Sequence, residues 1–192
     1  MALTRLNTNA YGSTINLTSN VTGTLPVANG GTALTSGFVN GSAAGGSQIF
    51  MTSDTAISGD GYLTSNLSAY NTTAAGTGIA SVSSGIISLD KTGWYHVIFQ
   101  ISGNSTSSND EWNPYIATTS DSGSTLSNKA YGYVHVEHGA RPDSFTTSIH
   151  LIYDLTDTDE KFVMKYAGAS NITLYGTGQS VTSMTFIRLG DT

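Results

Sequence analysis

Two histidines and a group of carboxylates are the side chains of this sequence whose chemistry suits a metal site or acid–base catalysis. His135 and His138 stand three residues apart in the segment 133–138, which invites comparison with a zinc site. That segment alternates as a strand does, and on a strand residues i and i+3 point to opposite faces. The two imidazoles therefore diverge, and the spacing predicts no metal there.

Four acidic residues, Asp154, Asp157, Asp159 and Glu160, fall close together at a predicted turn. Carboxylate oxygens are the ligands that calcium requires. The segment has neither the glycine nor the distal glutamate of a calcium-binding loop. A solvated acidic turn is therefore the favoured interpretation, and a calcium site is the alternative.

A second acidic segment, Asp110-Glu111-Trp112, combines carboxylates with an aromatic ring, as carbohydrate sites do, but it equally suits a loop packed on the domain. The sequence contains no Gly-x-Ser-x-Gly elbow and no phosphate-binding loop. A glycan-cleaving enzyme needs two carboxylates that face each other across a groove, and acidic residues are sparse here. We therefore predict no catalytic residue, no metal and no other cofactor.

The composition is typical of a many-stranded β protein. Charged residues make up 10% of the 192 residues, there are 22 glycines, and Ser, Thr and Asn fill most polar positions. The formal net charge of -6 repels phosphate backbones and anionic lipids, so we expect no nucleic-acid partner. The absence of cysteine excludes disulfides. No apolar run has membrane-spanning length or follows Met1 as in a secretory signal, so we expect cytoplasmic synthesis and no membrane insertion.

The segment 91–102 organises the predicted fold. Every second residue is apolar in one row, which consists of Tyr95, Val97, Phe99 and Ile101. The other row is mixed and consists of Trp94, His96, Ile98 and Gln100. This is the period of a strand, and the aromatic and β-branched content places the strand near the middle of a sandwich.

Other segments with strand patterning follow one another at short intervals, separated by loops rich in Gly, Ser and Asp. A turn is predicted at Gly59-Asp60-Gly61. The pattern indicates an all-β antiparallel sandwich or jelly roll over residues 47–192, with an extended arm over residues 1–46. The other predicted strands are 48–52, 62–70, 79–82, 86–89, 112–117, 131–137, 146–155, 161–166, 171–175 and 181–189.

Residues 93–103, GWYHVIFQISG, are similar to the Gly-x-Tyr-x-x-x-Phe-x-(Val/Ile)-x-Gly strand of the trimeric jelly rolls of the tumour necrosis factor and complement-q globular-head superfamily. The later strands at 148–155, 161–164 and 183–189 resemble that family in their order, although the acidic turn lacks the family's usual glycine. The resemblance covers about residues 47–192. It implies a tumour necrosis factor-like jelly roll that forms a homotrimer.

The second faces of the predicted strands carry apolar residues that a monomer would leave in water as a patch. A heterologous interface that closes as a cyclic trimer buries such a patch. The alternative is that some of these residues lie under long loops. The predicted trimer-interface residues are Trp94, Ile98, Ile152, Met184 and Phe186.

The arm over residues 1–46 is too polar and too rich in glycine to fold alone. Small apolar residues recur along it, which suits an extended segment that lies along another protein. A disordered leader is the alternative. The predicted docking residues are Leu3, Leu6, Ile15, Leu17, Val21, Leu25, Pro26 and Val27.

The arm also carries a resemblance of its own. Residues 3–7, LTRLN, and 21–32, VTGTLPVANGGT, resemble the leader and the GTLPVANGGT segment of many tailed-bacteriophage virion proteins, especially tail fibres and short head or tail appendages. The resemblance implies a structural protein on the virion surface. Its expected partners are further copies of itself and other virion proteins such as the major capsid protein or the tail.

Two functions fit these features, and a third fits poorly. The first is a non-enzymatic homotrimer that decorates or cements a phage capsid, or forms a short head fibre, anchored by its arm. The second is a tail-fibre tip that binds a host surface glycan or receptor through loops such as 105–113 and 120–128. The third, a glycan-cleaving enzyme, is disfavoured by the sparse acids. The short arm favours decoration, because a fibre tip usually follows a long shaft.

Overall fold

The computed structural model describes residues 45–72, 79–106, 110–136, 143–177 and 181–190. All of these described residues belong to one compact unit. Of the predicted arm, only Gly45 and Gly46 fall within the described residues, so its eight docking residues lie outside them. In the described ranges there is no helix long and apolar enough to cross a membrane.

Twelve β-strands make up the regular structure of the described residues, and all their pairings are antiparallel. The prediction of an all-β antiparallel architecture is therefore confirmed. In chain order the strands are β1 (Gly46–Met51), β2 (Thr55–Tyr62), β3 (Leu67–Thr72), β4 (Ala80–Ser83), β5 (Ile86–Leu89), β6 (Gly93–Ser105), β7 (Asp110–Thr119), β8 (Ser127–Tyr131), β9 (Val134–Val136), β10 (Asp143–Leu155), β11 (Lys161–Leu174) and β12 (Ser183–Gly190).

The first sheet has the order β3-β1-β12-β6-β10, with β6 hydrogen-bonded on both edges. Strand β6 pairs with β10 along its whole length, from Gly93 opposite Leu155 to Ser105 opposite Asp143. Gly93, the first residue of β6, has a φ of 138°, and a Cβ there would lie 2.3 Å from the Gly190 carbonyl oxygen. For both reasons only glycine fits at the start of this strand. The predicted organising strand is thus a central strand.

The second sheet is built around β11. Strand β7 pairs with one edge of β11, and β2 and β5 pair with the other. Strand β4 extends this layer beyond β5, while β8 and β9 pair with β7. Register shifts between Tyr166 and Ile172 bend β11, and its last residues pair with β6. The two layers are therefore joined at this end.

The core lies between the two layers and is filled by one face of each. Tyr95, Val97, Phe99 and Ile101 of β6 are at most 2% exposed, so the predicted apolar row is the core row. Phe162 of the second layer meets Phe186 of the first, with ring centroids 5.2 Å apart in an edge-to-face arrangement.

The prediction at β2 and β3 is wrong in its boundaries. Residues 62–70 form no single strand, because Asn66 has a φ of 59° and separates β2 from β3. The predicted Gly59-Asp60-Gly61 turn lies inside β2, where the glycines accommodate the bent β11. A Cβ on Gly61 would lie 2.9 Å from the Tyr166 hydroxyl. The two strands predicted at 161–166 and 171–175 are one strand, β11.

The Phe99→Ala variant should lower the free energy of unfolding by about 3 to 5 kcal/mol, because it removes a buried ring from the central strand. Gln100→Ala is the matched control, since Gln100 is the next residue on the strand and is exposed. Urea unfolding monitored by circular dichroism measures both. Equal midpoints for the two variants would show that Phe99 does not belong to the core.

Candidate binding surfaces

The face of the first sheet that points away from the core is lined with large exposed apolar side chains. The exposed fraction of the side chain is 44% for Trp94, 55% for Ile152, 39% for Ile187 and 47% for Leu189. A patch of this kind is unusual on a monomer and typically marks an interface. We call it the apolar face, and it comprises Tyr70, Trp94, His96, Ile98, His150, Ile152, Ile187 and Leu189.

The strand register explains why these residues form a continuous surface. Side chains of directly paired residues lie on the same face of a sheet. His96 on β6 is paired with Ile152 on β10 and with Ile187 on β12. Ile98 is paired in the same way with His150 and Thr185. The second row of the organising strand is therefore continued on both neighbours.

The apolar face is almost free of charge. Among the described strand residues that point to this side, there is no lysine or arginine, and Asp154 is the one carboxylate. Its Oδ1 is buried and has no hydrogen-bond partner among the described residues. The second sheet, by contrast, carries Lys129, Lys161 and Lys165. The two outer surfaces of the sandwich are thus chemically different.

Two histidines contact each other in the middle of the apolar face. His96 Nε2 lies 3.1 Å from His150 Nδ1, and His150 Nε2 lies 3.3 Å from Ser148 Oγ. A hydrogen bond between the two rings requires one nitrogen to donate and the other to accept, so at least one ring is neutral. The sequence did not indicate this pair, because it depends on the register between β6 and β10.

The structure divides the five predicted interface residues. Trp94, Ile98 and Ile152 lie on the apolar face, whereas Met184 and Phe186 are fully buried in the core of the protomer. The prediction is wrong for these two, because a side chain buried in its own core has no surface left for a neighbour. The same inward row contains Arg188, which is buried and donates from Nε and Nη2 to the Thr92 carbonyl. A row that contains an arginine has the polarity expected of an outward row, so the alternation of β12 alone does not show which row faces the core.

A second exposed patch consists of three tyrosines, Tyr115, Tyr131 and Tyr133, which we call the tyrosine edge. Tyr131 and Tyr133 are 69% and 57% exposed, and the Tyr115 and Tyr131 ring centroids are 5.8 Å apart. Gly132 packs close to β10, since a Cβ on it would lie 3.2 Å from Ile149 Cγ1. The tyrosine edge therefore lies beside the outer strand of the first sheet.

The residues proposed for carbohydrate stacking do not form a site. Trp112 is 1% exposed and packs edge-to-face on Phe145, with centroids 5.7 Å apart, so its ring is not available to a sugar. Glu111 pairs with His135, with Oε1 3.3 Å from Nδ1. The alternative, a segment packed on the domain, is correct for Trp112. His138 lies outside the described residues.

The four acids of the predicted acidic turn do not converge. Asp154 is paired with Trp94 on β6, and Asp157 accepts a hydrogen bond from the Asp159 amide. Glu160 accepts hydrogen bonds from Thr118 and Tyr153 and pairs with Lys129. Burial opposes its ionisation, but these contacts outweigh burial and lower its pKa. In the part of the chain that the structure describes, no group of three or more His, Asp or Glu residues is placed to hold a metal.

A cleft of about 660 Å³ lies on the outer surface of the second sheet. Its walls come from the end of β2, the β4–β5 hairpin, the β7–β8 turn and the start of β11. Most of its lining is hydroxyl groups. We call it the hydroxyl cleft, and its lining residues are Tyr62, Ser83, Ser84, Ile86, Ser88, Ser120, Ser122, Asp159 and Lys161.

Comparison with known proteins gives a likeness in structure and none in sequence. No protein-family model matches the chain, and no curated protein matches it. The structure of the tumour necrosis factor Eiger from S. frugiperda superposes with a TM-score of 0.57 at 12% identity, covering 79% of this chain and 96% of that one. Murine APRIL superposes with a TM-score of 0.52 at 10% identity, covering 76% of this chain and 99% of that one.

The fold is a tumour necrosis factor-like jelly roll. The resemblance inferred from the segment 93–103 is thus confirmed at the level of fold, since that segment is the central strand β6. Identities of 10–12% carry no information about ligands or partners of this chain.

The Glu160→Gln variant should be less stable than the parent at pH 7, by about 1 kcal/mol, because it loses an ion pair and weakens two hydrogen bonds. The pKa of Glu160 is lowered by folding, so its contribution is present above the unfolded pKa and is lost as the pH falls through the folded pKa. The difference between the two proteins should therefore shrink from pH 7 to pH 3. Thermal unfolding across this range measures it, and a constant difference would contradict the assignment.

Proposed function

We propose that this protein is a non-enzymatic homotrimer, a structural component of the surface of a tailed-bacteriophage particle. The proposal is supported first by the apolar face. Burial of apolar surface contributes about 25 cal/mol per Å², and four large apolar side chains stand 39% to 55% exposed on a face with no lysine or arginine among its described residues. A neighbouring copy of the chain is the occupant that this chemistry favours.

The tyrosine edge supplies the complementary surface. A cyclic trimer has a heterologous interface, in which one patch of each protomer contacts a different patch of the next. Tyr131 and Tyr133 are rigid amphipathic side chains of the kind that anchor interfaces. In the proposed trimer, the tyrosine edge of one protomer packs on the apolar face of the next. The tumour necrosis factor-like fold supports this arrangement, since such jelly rolls are typically homotrimers.

The neutral character of the apolar face fits burial between protomers. Taking charges out of water is costly, and Asp154 is the one carboxylate among the described strand residues on this side, which have no lysine or arginine.

The role in a phage particle rests on the arm, residues 1–46, and its GTLPVANGGT segment. An extended arm that docks on the particle adds main-chain hydrogen bonds and small apolar contacts, and three arms from one trimer strengthen each other. We favour capsid decoration, cement or a short head fibre, with the trimer on the virion surface after synthesis in the host cytoplasm. The second candidate, a tail-fibre tip that binds a host glycan, is favoured by the hydroxyl cleft.

Light scattering of the full chain should give three times the chain mass of 20.0 kDa. The Ile152→Glu variant should give the mass of one chain, because it places a charge in the interface. Ser81→Glu is the matched control, since Ser81 is an exposed strand residue of the second sheet, and it should remain trimeric. A monomeric parent protein, or a trimeric Ile152→Glu variant, would refute the proposed interface.

Deletion of residues 2–44 should leave a folded trimer that no longer joins the phage particle, because strand β1 begins at Gly46 and its pairing is retained. Western blotting of purified particles measures incorporation. Particles without the protein should form but lose resistance to heat if the role is cement. Normal heat resistance with lost adsorption to cells would indicate the receptor-binding role, and normal incorporation of the truncated protein would refute the anchor.

A further inference from the structure

The hydroxyl cleft lies on the opposite layer of the sandwich from the apolar face. Its walls belong to β2, β5, β11 and adjoining turns of the second sheet. The tyrosine edge lies at the end of the β7–β8 pairing away from the turn that lines the cleft, so the proposed trimer leaves the cleft open to solvent. Its volume of about 660 Å³ lies in the range of small-ligand sites.

The turns around the cleft are held together by close packing. Tyr62 lies against the β7–β8 turn, where a Cβ on Gly123 would be 2.4 Å from its hydroxyl. The β4–β5 hairpin packs equally tightly, since a Cβ on Gly85 would be 2.0 Å from the Leu63 carbonyl oxygen. Both glycines have positive φ, 94° and 81° respectively. The positions of the cleft walls are thus fixed relative to one another.

Two serines of the cleft adopt a backbone conformation that is rare for residues with a side chain. Ser84 and Ser122 have φ values of 49° and 59°. Both stand in turns between paired strands, and the two-residue turn between Ser83 and Ile86 requires positive φ at Ser84 and Gly85. Asp121 holds the second of these turns, because its Oδ1 accepts hydrogen bonds from the Thr125 amide and from Thr119 Oγ1. Contacts with the side chain and the amide of Thr125, followed by the contact with Thr119, lower the pKa of Asp121 to about 2.

The polar groups of the cleft are free to bind a ligand. The Asp159 carboxylate and the Tyr62 hydroxyl make no side-chain hydrogen bond within the described residues. The same is true of the five serine hydroxyls, those of Ser83, Ser84, Ser88, Ser120 and Ser122. Lys161 donates to the Thr158 carbonyl. A set of unused hydroxyl groups around one aromatic ring is an arrangement that matches the hydroxyl groups and the apolar ring face of a sugar.

The charged side chains of the cleft indicate whether it would bind a neutral or a charged sugar. One carboxylate, Asp159, and one ammonium group, Lys161, leave it with no net charge, and the chain's net charge of -6 disfavours anionic ligands. Glycoside hydrolysis needs two carboxyl groups flanking the bond, and Asp159 is the single carboxylate in the lining. We propose that the hydroxyl cleft binds a neutral saccharide without cleaving it. The inference deepens the proposed function, because three clefts on one trimer would bind a polysaccharide with higher avidity than one.

Saturation-transfer NMR on the full chain tests this, with maltotriose, cellotriose and mannotriose as probes at about 10 mM, above the Kd of a weak site. At least one trisaccharide should receive saturation. The Ser88→Tyr variant, which fills the cleft, and the Asp159→Ala variant should each weaken the binding at least about tenfold. Thr52→Tyr is the matched control, since Thr52 is an exposed hydroxyl residue outside the cleft lining, and it should bind as the parent does.

Absence of saturation transfer to all three sugars overturns the proposal, as does binding that both cleft variants retain at parental strength. Release of shortened sugars would overturn the claim that the cleft only binds. Light scattering of the same samples gives the oligomeric state, so the test of sugar binding can be evaluated independently of the test of the trimer. A trimer that binds no sugar refutes the cleft alone, and a monomer that binds sugar refutes the assembly alone.

Discussion

Strand β6 is the element on which the rest of the structure depends. It is hydrogen-bonded to β10 on one edge and to β12 on the other, so its alternation is imposed on both neighbours. The row that starts at Tyr95 faces the second layer and is buried. The row that starts at Trp94 faces away and, with Ile152 and Ile187, forms the apolar face. One strand pattern thus produces both the core and the surface through which we propose that the protein assembles.

The two outer surfaces of the sandwich differ because their strands carry different side chains at the outward positions. The first sheet presents apolar residues and a histidine pair, and the second presents lysines and hydroxyl groups. In the proposed trimer the apolar face is buried against the tyrosine edge of the next protomer, whereas the hydroxyl cleft stays in water, where it is available to a ligand. Assembly and binding are therefore assigned to different surfaces, and a change in one need not disturb the other.

Much of the fold could be predicted from the sequence, because it depends on local alternation. The central strand, its buried row and the outward positions of Trp94, Ile98 and Ile152 follow from a period of two. Met184 and Phe186 were misplaced, because the alternation of β12 does not show which row faces inward when the inward row includes a buried arginine, Arg188. The His96–His150 pair and the hydroxyl cleft depend on strand register and on turns brought together from distant parts of the chain. No local pattern in one sequence records such proximity.

The central claim is that the apolar face is buried between protomers, and the tryptophans report on it directly. The sequence has two, and in the isolated protomer Trp112 is 1% exposed while Trp94 is 44% exposed. Acrylamide quenches the fluorescence of exposed indoles. The measurement is therefore the acrylamide quenching of tryptophan fluorescence in the full chain and in a Trp94→Phe variant. The account predicts that both tryptophans of the parent protein resist quenching. A quenchable component that disappears in the Trp94→Phe variant would show that the apolar face is open to water, and would contradict the account.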